Sequence, residues 1–294
     1  MMIEKFLDYL KCEQNRSPLT VKSYADDLYG FEAYFKNLEG RLSWERIDSD
    51  VIRGWMESMM DKGNNAVSIN RRLSALRSFY RFALSHKLVE KDPAYNVKGP
   101  KKSKPLPRFL RDSEMDRLLD DSSVWEESFE SQRARCMIMM FYMTGVRLAE
   151  LVNLENKDVD FVNRQIKVTG KRNKHRIIPF GDELCNVLLD YMKLRDATVE
   201  CKSECLFLSS HGDKMTHPQV RNEVKKYLSM VCTLKKRTPH VLRHTFATSM
   251  LNHEAGLESV KKLLGHESLS TTEVYTHTTF EQLKHVYSKA HPRA

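Results

Sequence analysis

Apolar residues recur along this chain with two kinds of spacing, helical over most of its length and strand-like over one short interval. "SPLTVKSYADDLYGFEAYF" opens with Ser17 as an N-cap and Pro18 at the first helical position, then repeats Leu19, Tyr24, Leu28, Phe31 and Phe35. This predicts an amphipathic helix. "AVSINRRLSALRSFYRFALSHKLV" repeats Ile69, Leu73, Leu76, Tyr80 and Ala83, and sets Asn70, Ser74, Arg77 and Arg81 on another face. Such a face suits a DNA groove, and equally an ordinary solvated helix surface. Further on, "RARCMIMMFYMTG" predicts a buried helix ended by Gly145, with the methionines as core filler. The period then changes. In "VDFVNRQIKVTGKRNKHRIIPF", Ile166 and Val168, then His175 to Phe180, predict two short strands around the turn "GKRNK", forming a small antiparallel sheet. From Leu184 the helical spacing returns and largely holds to the C-terminus.

One interval breaks both periods. "NVKGPKKSKPLPRFLR", from Asn96 to Arg111, holds three prolines, one glycine and no acid, with Lys98, Lys101, Lys102, Lys104, Arg108 and Arg111 as its basic residues. Prolines stiffen such a segment and exclude helix, so it reads as a linker. The expected organisation is a helical domain over 1–97, a basic linker over 98–111, and a mostly α domain with an inserted hairpin over 112–294. Lys101, Lys102 and Lys104 either lie along phosphates or belong to a solvated tether.

Composition narrows the partners. Across 294 residues, 48 Lys+Arg against 39 Asp+Glu leave a formal charge of +9, which favours polyanions, nucleic acid first among them. The longest apolar run, Cys136 to Met143, falls far below the roughly 20 residues that span a bilayer, so no membrane helix is expected. "MMIEKFLDYLKCEQ" shows no secretory h-region, and a cytoplasmic protein is expected. Its cysteines, Cys12, Cys136, Cys185, Cys201, Cys205 and Cys232, are then expected as free thiols. Cys201 and Cys205 with His211 make only a weak zinc pattern, because no second ligand pair follows at finger-like spacing.

Candidate chemistry begins at "TPHVLRHTFAT", which carries His240, Arg243 and His244. The two histidines have the spacing of a zinc helix, but Val241 stands where the metalloprotease pattern needs glutamate. Thr238 as N-cap and Pro239 behind it put His240 in a first helical turn, where free backbone N–H groups favour an anion such as phosphate. Three other stretches offer partners for one. "TGVRLAEL" places Glu150 three residues after Arg147, able to hold that guanidinium. "TGKRNKHR" puts Lys171 in the hairpin turn, and "LLGHESLSTTEVYTH" puts His266 after a helix-ending glycine, with Tyr275 beyond it.

Singly these signals are weak, but their order is specific. R-x-x-E-L, a hairpin lysine, H-x-L-R-H, L-G-H and a tyrosine together resemble the tyrosine recombinases, from "SPLTVKSYADDL" onward, and "VYSKAHPRA" looks like the tail of the Xer subgroup. The resemblance implies a mostly helical protein with a small antiparallel sheet. Its N-terminal SAM-like core-binding domain and its catalytic domain would close as a C-shaped clamp on duplex DNA. It further implies a catalytic set of Arg147, Lys171, His240, Arg243, His266 and Tyr275, with a 3′-phosphotyrosyl intermediate. Ionising a tyrosine of ordinary pKa at pH 7 costs roughly 4 kcal/mol, so Tyr275 needs help. Arg147 and Arg243 would fork onto the non-bridging oxygens, and Lys171 would protonate the leaving 5′-oxygen. His240 would assist proton transfer, and His266 would hydrogen-bond the phosphate. With fixed cations in these places, neither metal nor cofactor is expected. His244 lies outside the set and is expected as a buried, hydrogen-bonded helix residue.

The activity so implied is Xer-type chromosome dimer resolution. The alternatives are the integrase of a phage or mobile element and, outside enzymes, a catalytically inactive architectural DNA-binding protein. Implied partners are double-stranded DNA, the chain itself or a paralogous recombinase as a tetramer on two sites, and a DNA translocase. The tail "THTTFEQLKHVYSKAHPRA" carries Phe280, Leu283, Val286 and Tyr287 at helical spacing, and the resemblance suggests that it docks in trans on a neighbouring subunit.

Overall fold

A computed structural model describes residues 2–39, 43–102, 108–170, 174–265 and 277–294. The chain divides into two compact units, Met1–Pro105 and Leu106–Ala294, with the division inside the proline-containing segment.

The first unit is helical: α1 (Met2–Asp8), continued by a π-helical turn over Tyr9–Glu13, then α2 (Pro18–Glu39), α3 (Ser49–Asp61) and α4 (Ala66–Ser85). Ser17 Oγ accepts the Thr20 N–H at 3.3 Å and starts α2 as its sequence predicts. Leu28, Phe31 and Phe35 of its stripe are buried, but Leu19 stays 78% exposed, because the helical period begins a turn before the core does. Along α4 the whole expected stripe, Ile69, Leu73, Leu76, Tyr80 and Ala83, is buried. These helices enclose an aromatic centre in which Trp44 meets Phe79 at 4.4 Å and Phe31 meets Trp55 edge-on at 4.8 Å between ring centroids.

The second unit is built around one buried helix. After α5 (Asp112–Asp120), α6 (Phe129–Thr144) has every residue from Cys136 to Met143 fully buried, and the helices Asp182–Thr198, His217–Val231 and Pro239–Asn252 pack against it. It stops where expected, at Gly145 in the left-handed region with φ 60°, whose N–H donates to Phe141 O at 3.0 Å. A Cβ at Gly145 would lie 2.5 Å from a Phe246 ring carbon and 2.9 Å from a Leu264 methyl, so this turn has room only for glycine. There follow α7 (Leu148–Val152), β1 (Val159–Asp160), β2 (Gln165–Thr169), β3 (His175–Pro179), α8 (Asp182–Thr198), α9 (His217–Val231), α10 (Pro239–Asn252), α11 (Leu257–Leu264) and α12 (His277–Ala290). The strands form one antiparallel sheet in the order β1-β2-β3, with Ile166 opposite Ile178 and Val168 opposite Arg176. Two strands were expected; the third, β1, is two residues long, too short to show a period.

The tail folds onto its own unit in the single chain. Leu283, Tyr287 and Ala290 of α12 are buried in the core of their own unit, where α12 packs on α10, α11 and β3. Beyond it His291 stacks on Tyr287 and Phe246, its imidazole pushed down to about 4 by burial, and its Nε2 lies 3.3 Å from Tyr142 O. In the single chain, Leu283 and Tyr287 of the expected stripe pack in cis. Among the described residues, no helix is long and apolar enough to cross a membrane.

Candidate active site

Arg147 is the N-cap of α7, and the local sequence explains its posture. Glu150, at the third helical position, accepts the Arg147 backbone N–H at 2.7 Å and the Arg147 Nη1 at 2.8 Å. The spacing read from the sequence thus ties this arginine to its own helix start. Its Nη2 donates to Gly265 O at 2.9 Å. Arg243 approaches from α10, donating through Nη1 to Gly145 O and through Nη2 to Leu264 O at 2.6 Å. Gly145 and Gly265 are both left-handed helix caps, so Arg147 and Arg243 are anchored on the carbonyls of the turns that end α6 and α11.

Glu150 is 4% exposed and is the anion of this cluster. Arg176 of β3 grips it end-on, Nη1 to Oε1 at 2.6 Å and Nη2 to Oε2 at 2.8 Å, and its Nε donates to Leu263 O at 2.9 Å. Burial pushes the Glu150 carboxyl up most strongly, yet the hydrogen bonds and charges of Arg176 and Arg147 outweigh it and hold the group at about 2. Three guanidinium groups around one carboxylate leave an excess of positive charge. Arg243 feels it: burial first, then the charges of Arg147 and Arg176, pull its pKa down to about 9. A phosphodiester placed here would relieve that repulsion.

His240 sits in the first turn of α10 behind Pro239 and is exposed. Burial of part of its ring lowers its pKa, followed by the positive neighbours His244, Arg243, Arg221 and Arg147. That favours the neutral imidazole, the form able to accept a proton. His244 is exposed rather than buried and hydrogen-bonded: α10 buries Val241, Leu242, Thr245, Phe246 and Ser249, which leaves residue 244 beside His240 on the open face. Lys171, His266 and Tyr275 lie outside the described residues. Arg176 was missed by sequence reasoning, and the one available signal was an arginine at an inward position of an alternating strand.

The residues assigned to DNA in the first unit divide in two. Ser74 and Arg81 are exposed, as are Lys101 and Lys102, whereas Lys104 lies outside the described residues. Asn70 and Arg77 are engaged within the chain. Asn70 Nδ2 donates to Pro100 O at 2.9 Å and to Ala66 O at 2.7 Å, and Arg77 donates through Nε to Ala94 O at 3.2 Å and through Nη2 to Val97 O.

Comparison with known proteins places both units in one family. A model described as the phage integrase family matches residues 108–282, and one described as the phage integrase N-terminal SAM-like domain matches residues 3–87. The chain is 37% identical to tyrosine recombinase XerC of Chlorobaculum parvum over 99% of its own length and 94% of that protein's. It is 38% identical to XerC of Oceanobacillus iheyensis, covering 100% of this chain and 97% of that one. In fold it is similar to the XerH site-specific recombinase bound to a palindromic difH substrate, with a TM-score of 0.73, 24% identity, and coverage of 97% and 84% of the two chains.

Proposed function

The chain belongs to the phage integrase family, and on that premise we propose that it is a site-specific DNA recombinase of Xer type that cuts and rejoins duplex DNA through Tyr275. The observation that carries the reading is the convergence of Arg147 and Arg243, from separate helices, on the adjacent carbonyls of Leu264 and Gly265, immediately before His266. Their remaining N–H donors stabilise charge on the non-bridging oxygens as the Tyr275 oxygen bonds to phosphorus and the 5′-oxygen leaves. Lys171 supplies the proton that the departing oxygen takes up, and His240 assists proton removal from the tyrosine. Joining reverses these steps, and the phosphotyrosyl link conserves the bond energy for it.

Identity to chains named XerC along nearly the full length supports the Xer reading over a mobile-element integrase. In that reading the work is chromosome dimer resolution in the cytoplasm, by a tetramer on two sites of this chain or of this chain and a paralogue, under a DNA translocase. The test is Tyr275→Phe. It should bind duplex as the wild type does and form no denaturation-resistant protein–DNA complex. A normal yield of that complex would remove Tyr275 as the nucleophile.

A further inference from the structure

We propose that Arg176 is a positioning residue for strand cleavage: it sets the direction of Arg147 through Glu150 and ties β3 to the backbone before His266. This rests on the reading of Arg147 as a ligand of the scissile phosphate.

Arg176 is 6% exposed on β3, on the inward side it shares with Ile178. An arginine there is costly unless its donors are placed. Three are, on both oxygens of Glu150 and on Leu263 O. An end-on fork fixes the plane of a carboxylate as well as its position. The same two oxygens then receive Arg147, Oε1 taking Nη1 and Oε2 taking the backbone N–H. Glu150 is left with no freedom to rotate, so the guanidinium of Arg147 points where Arg176 directs the carboxylate.

Gly265 gives a second, independent view of this placement. It lies at φ 65°, its carbonyl accepts Arg147 Nη2, and a Cβ on it would sit 3.1 Å from Arg176 Cδ and 3.3 Å from Nη1. The Arg176 side chain therefore runs directly against the turn that leads to His266. A lysine would keep the positive charge beside Glu150 but not the fork, so charge and direction can be separated experimentally.

The experiment uses the full chain as wild type, Arg176→Lys and Arg176→Met. Its probe is a nicked half-site duplex selected from a random-sequence pool for binding to the wild type, with either phosphate or uncharged methylphosphonate at the scissile position. Thermal melting, half-site affinity and single-turnover covalent attachment are measured. Arg176→Lys should melt cooperatively, bind the half-site as the wild type does, and attach about 100-fold more slowly to phosphate, as misdirected catalytic groups do. Its loss on methylphosphonate should be clearly smaller, because that centre asks less charge stabilisation of Arg147. Arg176→Met should follow the same pattern with a larger loss. Equal losses on the two substrates, or wild-type rates in Arg176→Lys, would overturn the proposal. So would failure of both variants to fold, which would make Arg176 a folding residue only. Failure of the wild type to attach to phosphate would instead overturn the recombinase reading.

Discussion

Arg293 Nη1 donates to Glu183 Oε1 at 2.7 Å, tying the end of the chain to the first turn of α8. Its Nη2 reaches Asp116 at 3.0 Å and also Asp120, both on α5. The carboxylates are partly exposed, so Arg293→Ala should cost only about 1 kcal/mol. Deleting residues from Phe280 onward removes Leu283 and Tyr287 from the core. At about 2 kcal/mol for each, that should lower the melting temperature on the order of 10 °C. A truncated chain that melts like the wild type would show that the tail is not part of its own core.

Glu150 offers a test by pH. Its carboxyl is held at about 2 in the folded chain against an ordinary 4.5, a depressed value, so its stabilisation is present above about 4.5 and is lost as pH falls toward 2. Glu150→Gln leaves Arg176 buried without its counter-charge and should cost about 3 kcal/mol at neutral pH. The melting difference between this variant and the wild type should narrow as the solution is acidified below 4.5. A difference independent of pH would mean that packing, not charge, makes Glu150 matter.

Much of this was legible locally. The buried run of α6, its end at Gly145 and the Arg147–Glu150 pair each lie within a few residues of their cause. What escaped depends on distant partners. Arg176 meets Glu150 across 26 positions and Leu263 across 87, and nothing in a two-residue period says that an arginine turns inward. Helical spacing placed Asn70 and Arg77 on one face of α4 but could not show that the carbonyls of Ala94, Val97 and Pro100 would receive them. His244 was misread because burial on α10 follows Val241, Thr245 and Ser249, which leaves position 244 facing out beside His240.

His240 has a pKa below its ordinary value, through partial burial first and then the charges of His244, Arg243, Arg221 and Arg147. The acidic limb of the cleavage profile should therefore lie below pH 6.5, and His244→Gln, which removes one like charge, should move that limb to higher pH. Arg221→Gln should move it the same way by less, as the more weakly acting neighbour. Single-turnover rates against pH, with an NMR titration of the His240 ring, check both shifts. A limb that stays in place in both variants would take His240 out of the proton transfer.

The linker lysines and the α4 face can be separated by salt. Arg77 and Asn70 hold the segment that ends at Pro100, and Gly99 lets it approach, since a Cβ there would collide with Asn70 Oδ1. Arg77→Ala should therefore cost about 2 kcal/mol of stability in the first unit, as lost charged hydrogen bonds do, and should leave the salt dependence of DNA binding nearly unchanged. Lys101 and Lys102 just beyond are exposed and pair with no acid within hydrogen-bonding reach among the described residues. If they and Lys104 contact phosphates, replacing all three by Gln should flatten the slope of log affinity against log salt by up to about 2.7, at roughly 0.9 per phosphate, with no change in melting. Arg81→Gln alone should flatten it by about 0.9 if the exposed end of the face lies on DNA. A slope that falls in Arg77→Ala and holds in the lysine variant would reverse the assignment, making the arginine the phosphate ligand and the lysines a plain tether.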